Sequence, residues 1–90
     1  MLSSDREVVC KLVLDVLKPH NPSIVDLAKS ILKVAGVKHV RISVQEVDVN
    51  TETVKIVVEG EGFDFEKLKK VIENLGAVIH SIDEVVIRKV

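Results

Sequence analysis

The stretch VVCKLVLDVLKPH, residues 8–20, decides the fold. Val8, Cys10, Leu12, Leu14 and Val16 share one parity and are all apolar, whereas Val9, Lys11, Val13, Asp15 and Leu17 make a mixed second face. A strand with one wholly apolar face and one mixed face belongs mid-sheet, under helices on one side and half-covered on the other. Lys18-Pro19 ends it, because proline supplies no backbone donor and forces its predecessor toward extended geometry.

Downstream, Asn21-Pro22-Ser23 reads as a turn, and Ser23-x-x-Asp26 as a helix start with serine as the cap and an acid near the positive helix end. Ile24, Leu27, Ala28, Ile31 and Ala35 recur at helical spacing, and Gly36 ends the helix. Val40, Ile42 and Val44 alternate with Arg41, Ser43 and Gln45, giving a half-exposed second strand. A polar turn over residues 48–52 (DVNTE) leads to a third strand over residues 53–59, with Val54, Ile56 and Val58 on one side, broken by Gly60-Glu61-Gly62. Asp64 caps a second helix, with Phe63 stapled to Leu68. Its buried stripe is Phe65, Leu68, Val71, Ile72 and Leu75, and Gly76 ends it. Residues 78–82 form a fourth strand, and residues 85–90 a short extended segment that a four-stranded pattern does not require.

An internal repeat supports this order. At the offset that superposes Gly36 on Gly76, Leu14 matches Val54, Val16 matches Ile56, Ala28 matches Leu68, Ile31 matches Val71, Leu32 matches Ile72 and Ile42 matches Ile82. Two β-α-β halves give a single α+β domain over residues 1–90, a ferredoxin-like βαββαβ sandwich with a four-stranded antiparallel sheet and two helices on one face. Right-handed crossovers set the first and third strands in the centre, expected to run parallel, and leave the second and fourth as edges.

Composition narrows the function. Hydrophobic residues make up 47% of the 90 and aromatics only 2%, so the core is aliphatic. Thirteen basic against fourteen acidic side chains give a net charge of −1, which exerts no long-range pull on nucleic acid or an anionic membrane. The single cysteine, Cys10, falls on the core parity and reads as a small buried hydrophobe. No apolar run approaches the roughly 18 residues of a membrane span, and residues 1–7 lack the apolar segment of a signal peptide, so the expected location is cytoplasmic.

The segments DVLKPHNPS (residues 15–23) and VIHSIDEVV (residues 78–86) resemble a small archaeal ferredoxin-like family known as domain of unknown function 211. The resemblance extends from about Val8 to Val86. It implies a compact, oligomeric archaeal domain and carries no established activity, so candidate sites must come from the residues themselves.

Two polar clusters stand out. The fourth strand lies antiparallel beside the first, which brings its beginning near residues 15–20. Asp15, Ser81 and Asp83 fall on the open face by parity, and Lys18 and His20 sit at the loop. Two carboxylates with an imidazole suit a divalent cation, with Asp15 and Asp83 as its ligands; Lys18, His20, His80 and Ser81 suit a small ligand or anion. Simple alternation sets His80 on the helix side with Val78 and Ile82, away from Asp15 unless a bulge intervenes. The second cluster, Asp48-x-Asn50-x-Glu52, resembles the opening of a calcium loop but lacks its glycine and distant glutamate, and reads better as a hairpin turn.

Several ferredoxin-like functions are excluded by what is missing. Base stacking needs sheet aromatics, and the only two, Phe63 and Phe65, lie at a helix start. The loop after the first strand has neither the Cys-x-x-Cys of heavy-metal domains nor the glycine-rich anion loop with arginine of acylphosphatases. What remains is a small oligomeric binding or regulatory module, which includes an amino-acid-sensing one; the competing reading is a small enzyme using Asp15, His20 or His80 in acid–base work. A homo-oligomer is expected from Val9, Val13, Leu17, Val57 and Ile79 on the open face and from the spare segment at residues 85–90.

Overall fold

The computed structural model describes residues 6–90; the leader reading falls, for residues 1–5, outside the described residues. The elements run β1 (Glu7–Pro19), α1 (Ile24–Leu32), β2 (Val37–Val47), β3 (Thr51–Gly60), α2 (Phe65–Asn74) and β4 (Val78–Lys89). The four strands form one sheet in the order β2-β3-β1-β4, and every neighbouring pair is antiparallel. This is the ferredoxin-like α+β arrangement. β1 and β3 are central, as expected, but antiparallel and not parallel. Each crossover joins a strand to the next strand but one, so the parallel partners are β1 with β2 and β3 with β4, with an antiparallel strand between them.

Both helix starts are capped by the expected residues. The Ser23 hydroxyl accepts from the Asp26 amide at 3.2 Å, and the Asp64 carboxylate accepts from the Glu66 and Lys67 amides at 2.8 and 3.4 Å. α1 stops at Leu32, four residues before Gly36, so helical periodicity does not reach Ala35; Ala35 is exposed and Val34 is buried in its place. Gly36 has φ +92°, and its carbonyl accepts from the Glu61 amide at 2.8 Å; a side chain there would strain the backbone and strike that of residues 61–63.

The core is the aliphatic layer between helices and sheet. Leu12, Leu14 and Val16 of β1 and Val54, Ile56 and Val58 of β3 meet Leu27 and Ile31 of α1 and Leu68 and Ile72 of α2, with Phe63 beneath the start of α2.

Bulges account for the places where strict alternation fails. Val9 pairs with Ile87 but Lys11 with Val86, so Cys10 is an extra residue in β1. The bulge turns Val9 onto the core and leaves Cys10 half-buried, which corrects the core placement of Cys10 and the open-face placement of Val9. β4 carries two more. Asp15 pairs with Ser81 while Val16 pairs with Ile79, making His80 extra; Val13 pairs with Glu84 while Leu14 pairs with Ile82, making Asp83 extra. Ile79 consequently packs on the core and not on the open face. Residues 85–90 do not form a separate segment: β4 continues through the Asp83 bulge to Lys89, pairing with β1 throughout.

The open face is built in cross-strand rows. One reads Arg41, Val57, Val13, Glu84 across the sheet, flanked by His39, Glu59, Lys11, Val86 on one side and Ser43, Lys55, Asp15, Ser81 on the other. Val13 and Val57 are each only 8% exposed, with Arg41, Glu84, Lys11, Glu59 and Lys55 as their neighbours on the same face, so the centre of this face is already covered within one chain.

Candidate functional site

The residues singled out near the end of β1 separate into two clusters, one on each face of the sheet. Lys18 continues the core-facing parity of Leu14 and Val16 and is 1% exposed. A buried ammonium requires acceptors, and three surround it. Its Nζ donates to the carbonyls of Pro19 at 2.7 Å and His20 at 3.4 Å, and to Glu52 Oε1 at 3.1 Å. The second oxygen of Glu52 meets His20 Nδ1 at 3.0 Å. His20 Nε2 lies 3.1 and 2.9 Å from the carbonyls of Asp48 and Val49. Both imidazole nitrogens therefore face acceptors, an arrangement that suits a doubly protonated ring.

The electrostatics agree. The hydrogen bond to Glu52, then that to the Val49 carbonyl, raises the His20 pKa above its ordinary 6.5. The hydrogen bonds from His20 and then Lys18 hold Glu52 below the ordinary 4.5. Lys18, Glu52 and His20 thus form a clamp that fastens the end of β1 to the β2–β3 turn. The DVNTE segment is that turn, with the Asp48 amide donating to the Thr51 carbonyl at 2.8 Å. Glu52, read from sequence only as part of the turn, is the central member of the clamp. Its signal was the register: pairing Leu14 with Ile56 places Lys18 opposite Glu52.

The other cluster opens on the opposite face. Asp15, Val16, Leu17, Thr53 and His80 line a pocket of about 280 Å³. The bulge that makes His80 an extra residue brings it round to Asp15, whereas plain alternation had set it on the helix side. Asp15 is half-buried, and among the described residues neither its carboxylate nor the His80 ring has a side-chain hydrogen bond or ion pair within the chain. Ser81 pairs with Asp15 across the strands, but its hydroxyl donates to Asp83 Oδ1 at 2.8 Å. His20, engaged in the clamp, does not join Asp15 and Asp83. No three His, Cys, Asp or Glu side chains among the described residues lie close enough to share a metal ion. Leu17 and Thr53, not singled out from the sequence, complete the pocket because they pair with each other across β1 and β3 beside Asp15.

The fold and this half-buried, unpaired carboxylate define a small ferredoxin-like domain with a polar pocket on the open face of its sheet. The chain belongs to the family called domain of unknown function 211, described as uncharacterized ArCR, whose model matches residues 10–90. It is similar to an uncharacterized protein, MJ0319, of Methanocaldococcus jannaschii, with 47% identity over 79 residues covering 88% of this chain and 81% of the relative. No helix among the described residues is long and apolar enough to cross a membrane.

Proposed function

We propose that this chain is a small-ligand-binding module whose pocket receives a small molecule through a cationic ammonium group. The observation that carries this reading is Asp15. A half-buried carboxylate beside a cavity, with no side-chain hydrogen bond or ion pair among the described residues even to Lys55 directly across the sheet, is stabilised by an incoming cation. The Thr53 hydroxyl and the His80 ring supply two further polar contacts, and Leu17 an apolar wall. With two metal-binding side chains in the pocket, Asp15 and His80, a divalent cation would have to draw its remaining ligands from water or from another molecule. An ammonium group needs no such completion.

Acid–base catalysis with His20 is not favoured, because both of its nitrogens are occupied in the clamp. The test is a thermal-shift titration with the free amino acids, 1,4-diaminobutane, Zn²⁺ and Mn²⁺ against wild type and Asp15→Asn. A ligand that binds the native state raises the melting temperature. The expected result is a rise with one or more of the ammonium compounds in wild type that is lost in Asp15→Asn. A response to metals alone, identical responses from the two proteins, or no response at all would overturn the reading.

A further inference from the structure

β4 is an edge of the sheet, and its outer half carries an unusual run. Val85, Val86 and Ile87 are consecutive β-branched residues with exposures of 52, 40 and 54%. An edge strand presents unpaired backbone donors and acceptors, and such edges are normally blunted by charge, bulges or proline. The other edge is treated in that way. β2 has extra residues at Lys38 and Gln45, and between them the open face carries His39 and Arg41. In β4 the bulges at His80 and Asp83 stop short, and the strand from Glu84 to Lys89 contains no extra residue of its own.

We propose that β4 pairs antiparallel with β4 of a second copy about a two-fold axis through Val86, joining two four-stranded sheets edge to edge. The sequence around Val86 is complementary to its own reverse. With Val86 opposite its counterpart, Val85 of one copy faces Ile87 of the other and Glu84 faces Arg88, while Asp83, displaced by its bulge, comes near Lys89. Residues directly opposite share a face, so Val85 and Ile87 meet on the helix side, while on the open side the two copies of Val86 meet at the axis between the two Glu84–Arg88 pairs. Neighbouring registers lose this match. An axis through Val85 sets Glu84 against Val86 and Asp83 against Ile87, and an axis through Ile87 sets Val86 against Arg88 and Val85 against Lys89.

Glu84 already meets Lys11 at 3.3 Å and Arg88 meets Glu61, but both side chains are about half exposed and keep free hydrogen-bonding positions for a cross-copy pair. The contact surface between copies then lies away from the open face. The covered valines of the open face are not needed, and the edge of β4 supplies the interface.

The test is the solution mass of the full chain by light scattering, with circular dichroism to confirm folding. Wild type is expected at twice the 10.0 kDa chain mass or a multiple of that pair. Val86→Lys sets two like charges against each other at the axis and should at least halve the mass. Glu84→Arg and Arg88→Glu each create like-charge pairs and should weaken association when alone. Mixed together, the two variants form only opposite-charge pairs and should recover the wild-type mass. A monomeric wild type at high micromolar concentration, a Val86→Lys protein of unchanged mass, or a mixture that associates no better than its components would each overturn the proposal.

Discussion

The two polar clusters at the end of β1 use similar residues to opposite ends. In the clamp, a lysine, a glutamate and a histidine satisfy one another and the adjoining carbonyls until no donor faces an empty position. In the pocket, an aspartate, a threonine and a histidine converge on a cavity with their mutual contacts unmade. A polar group that is satisfied within the chain contributes order and stability, whereas one left unpaired beside a cavity is available to something from outside. Residue type does not separate the two cases; the local register does. Lys18 and Glu52 meet in unbroken pairing, and His80 reaches Asp15 only through a bulge.

The scale for the comparison comes from the core. Leu68→Ala or Ile31→Ala, each at a fully buried position, should cost roughly 2–5 kcal/mol in chemical denaturation. Next in size comes Glu52→Gln, which withdraws the carboxylate from a buried ammonium and an imidazolium together. It should lower Tm by roughly 5–10 °C in differential scanning calorimetry. Asp15→Asn and His80→Ala should each stay within about 2 °C of wild type, as expected where no side-chain partner among the described residues is lost. Equal losses from the clamp and pocket variants would erase the distinction between them.

The clamp also has a pH signature. Glu52 is held ionised below its ordinary range, so its stabilisation is present above about pH 4.5 and is lost as pH falls through the depressed folded value. His20 is held protonated above its ordinary range, so its contribution is complete below about pH 6.5 and is lost as pH rises through the raised folded value. The Tm difference between wild type and Glu52→Gln should therefore be greatest between about pH 4.5 and 6.5 and shrink on either side. Above that window part of it should persist, because Lys18 still requires its carboxylate. A difference that does not vary with pH would mean that His20 and Glu52 are not coupled in solution.

Most of the fold was legible because period-2 and period-3.6 patterns, helix caps and the repeat all indicated one topology. The parallel reading of β1 and β3 was an error of topology, since the repeat relates those strands but the crossovers set them antiparallel. The misplacements of Cys10, Val9, Ile79 and His80 have another cause. Each lies at or beside a bulge, and a bulge inverts the inside–outside parity on which strand reading depends. Lys18 was misread for a different reason. Hydropathy places lysine at the surface, while its burial depends on Glu52, distant in sequence and close only once the hairpin register is known. The candidate site was thus half legible. Asp15, Lys18, His20 and His80 were singled out, but their division between two faces depended on the pairing of Lys18 with a distant Glu52 and on the bulge at His80, neither of which composition encodes.

The distinction between clamp and pocket can be read directly, because the chain has three histidines, one in each setting: His20 in the clamp, His80 at the pocket and His39 near the exposed β2 edge. Side-chain NMR of histidine-labelled protein, titrated with the amino acids and 1,4-diaminobutane, would report on all three in one sample. The account predicts that the His80 ring resonances move with a saturating ammonium ligand while those of His20 and His39 stay in place, and that Asp15→Asn abolishes the movement. Resonances of His80 that remain fixed with every compound, or a response led by His20, would contradict it.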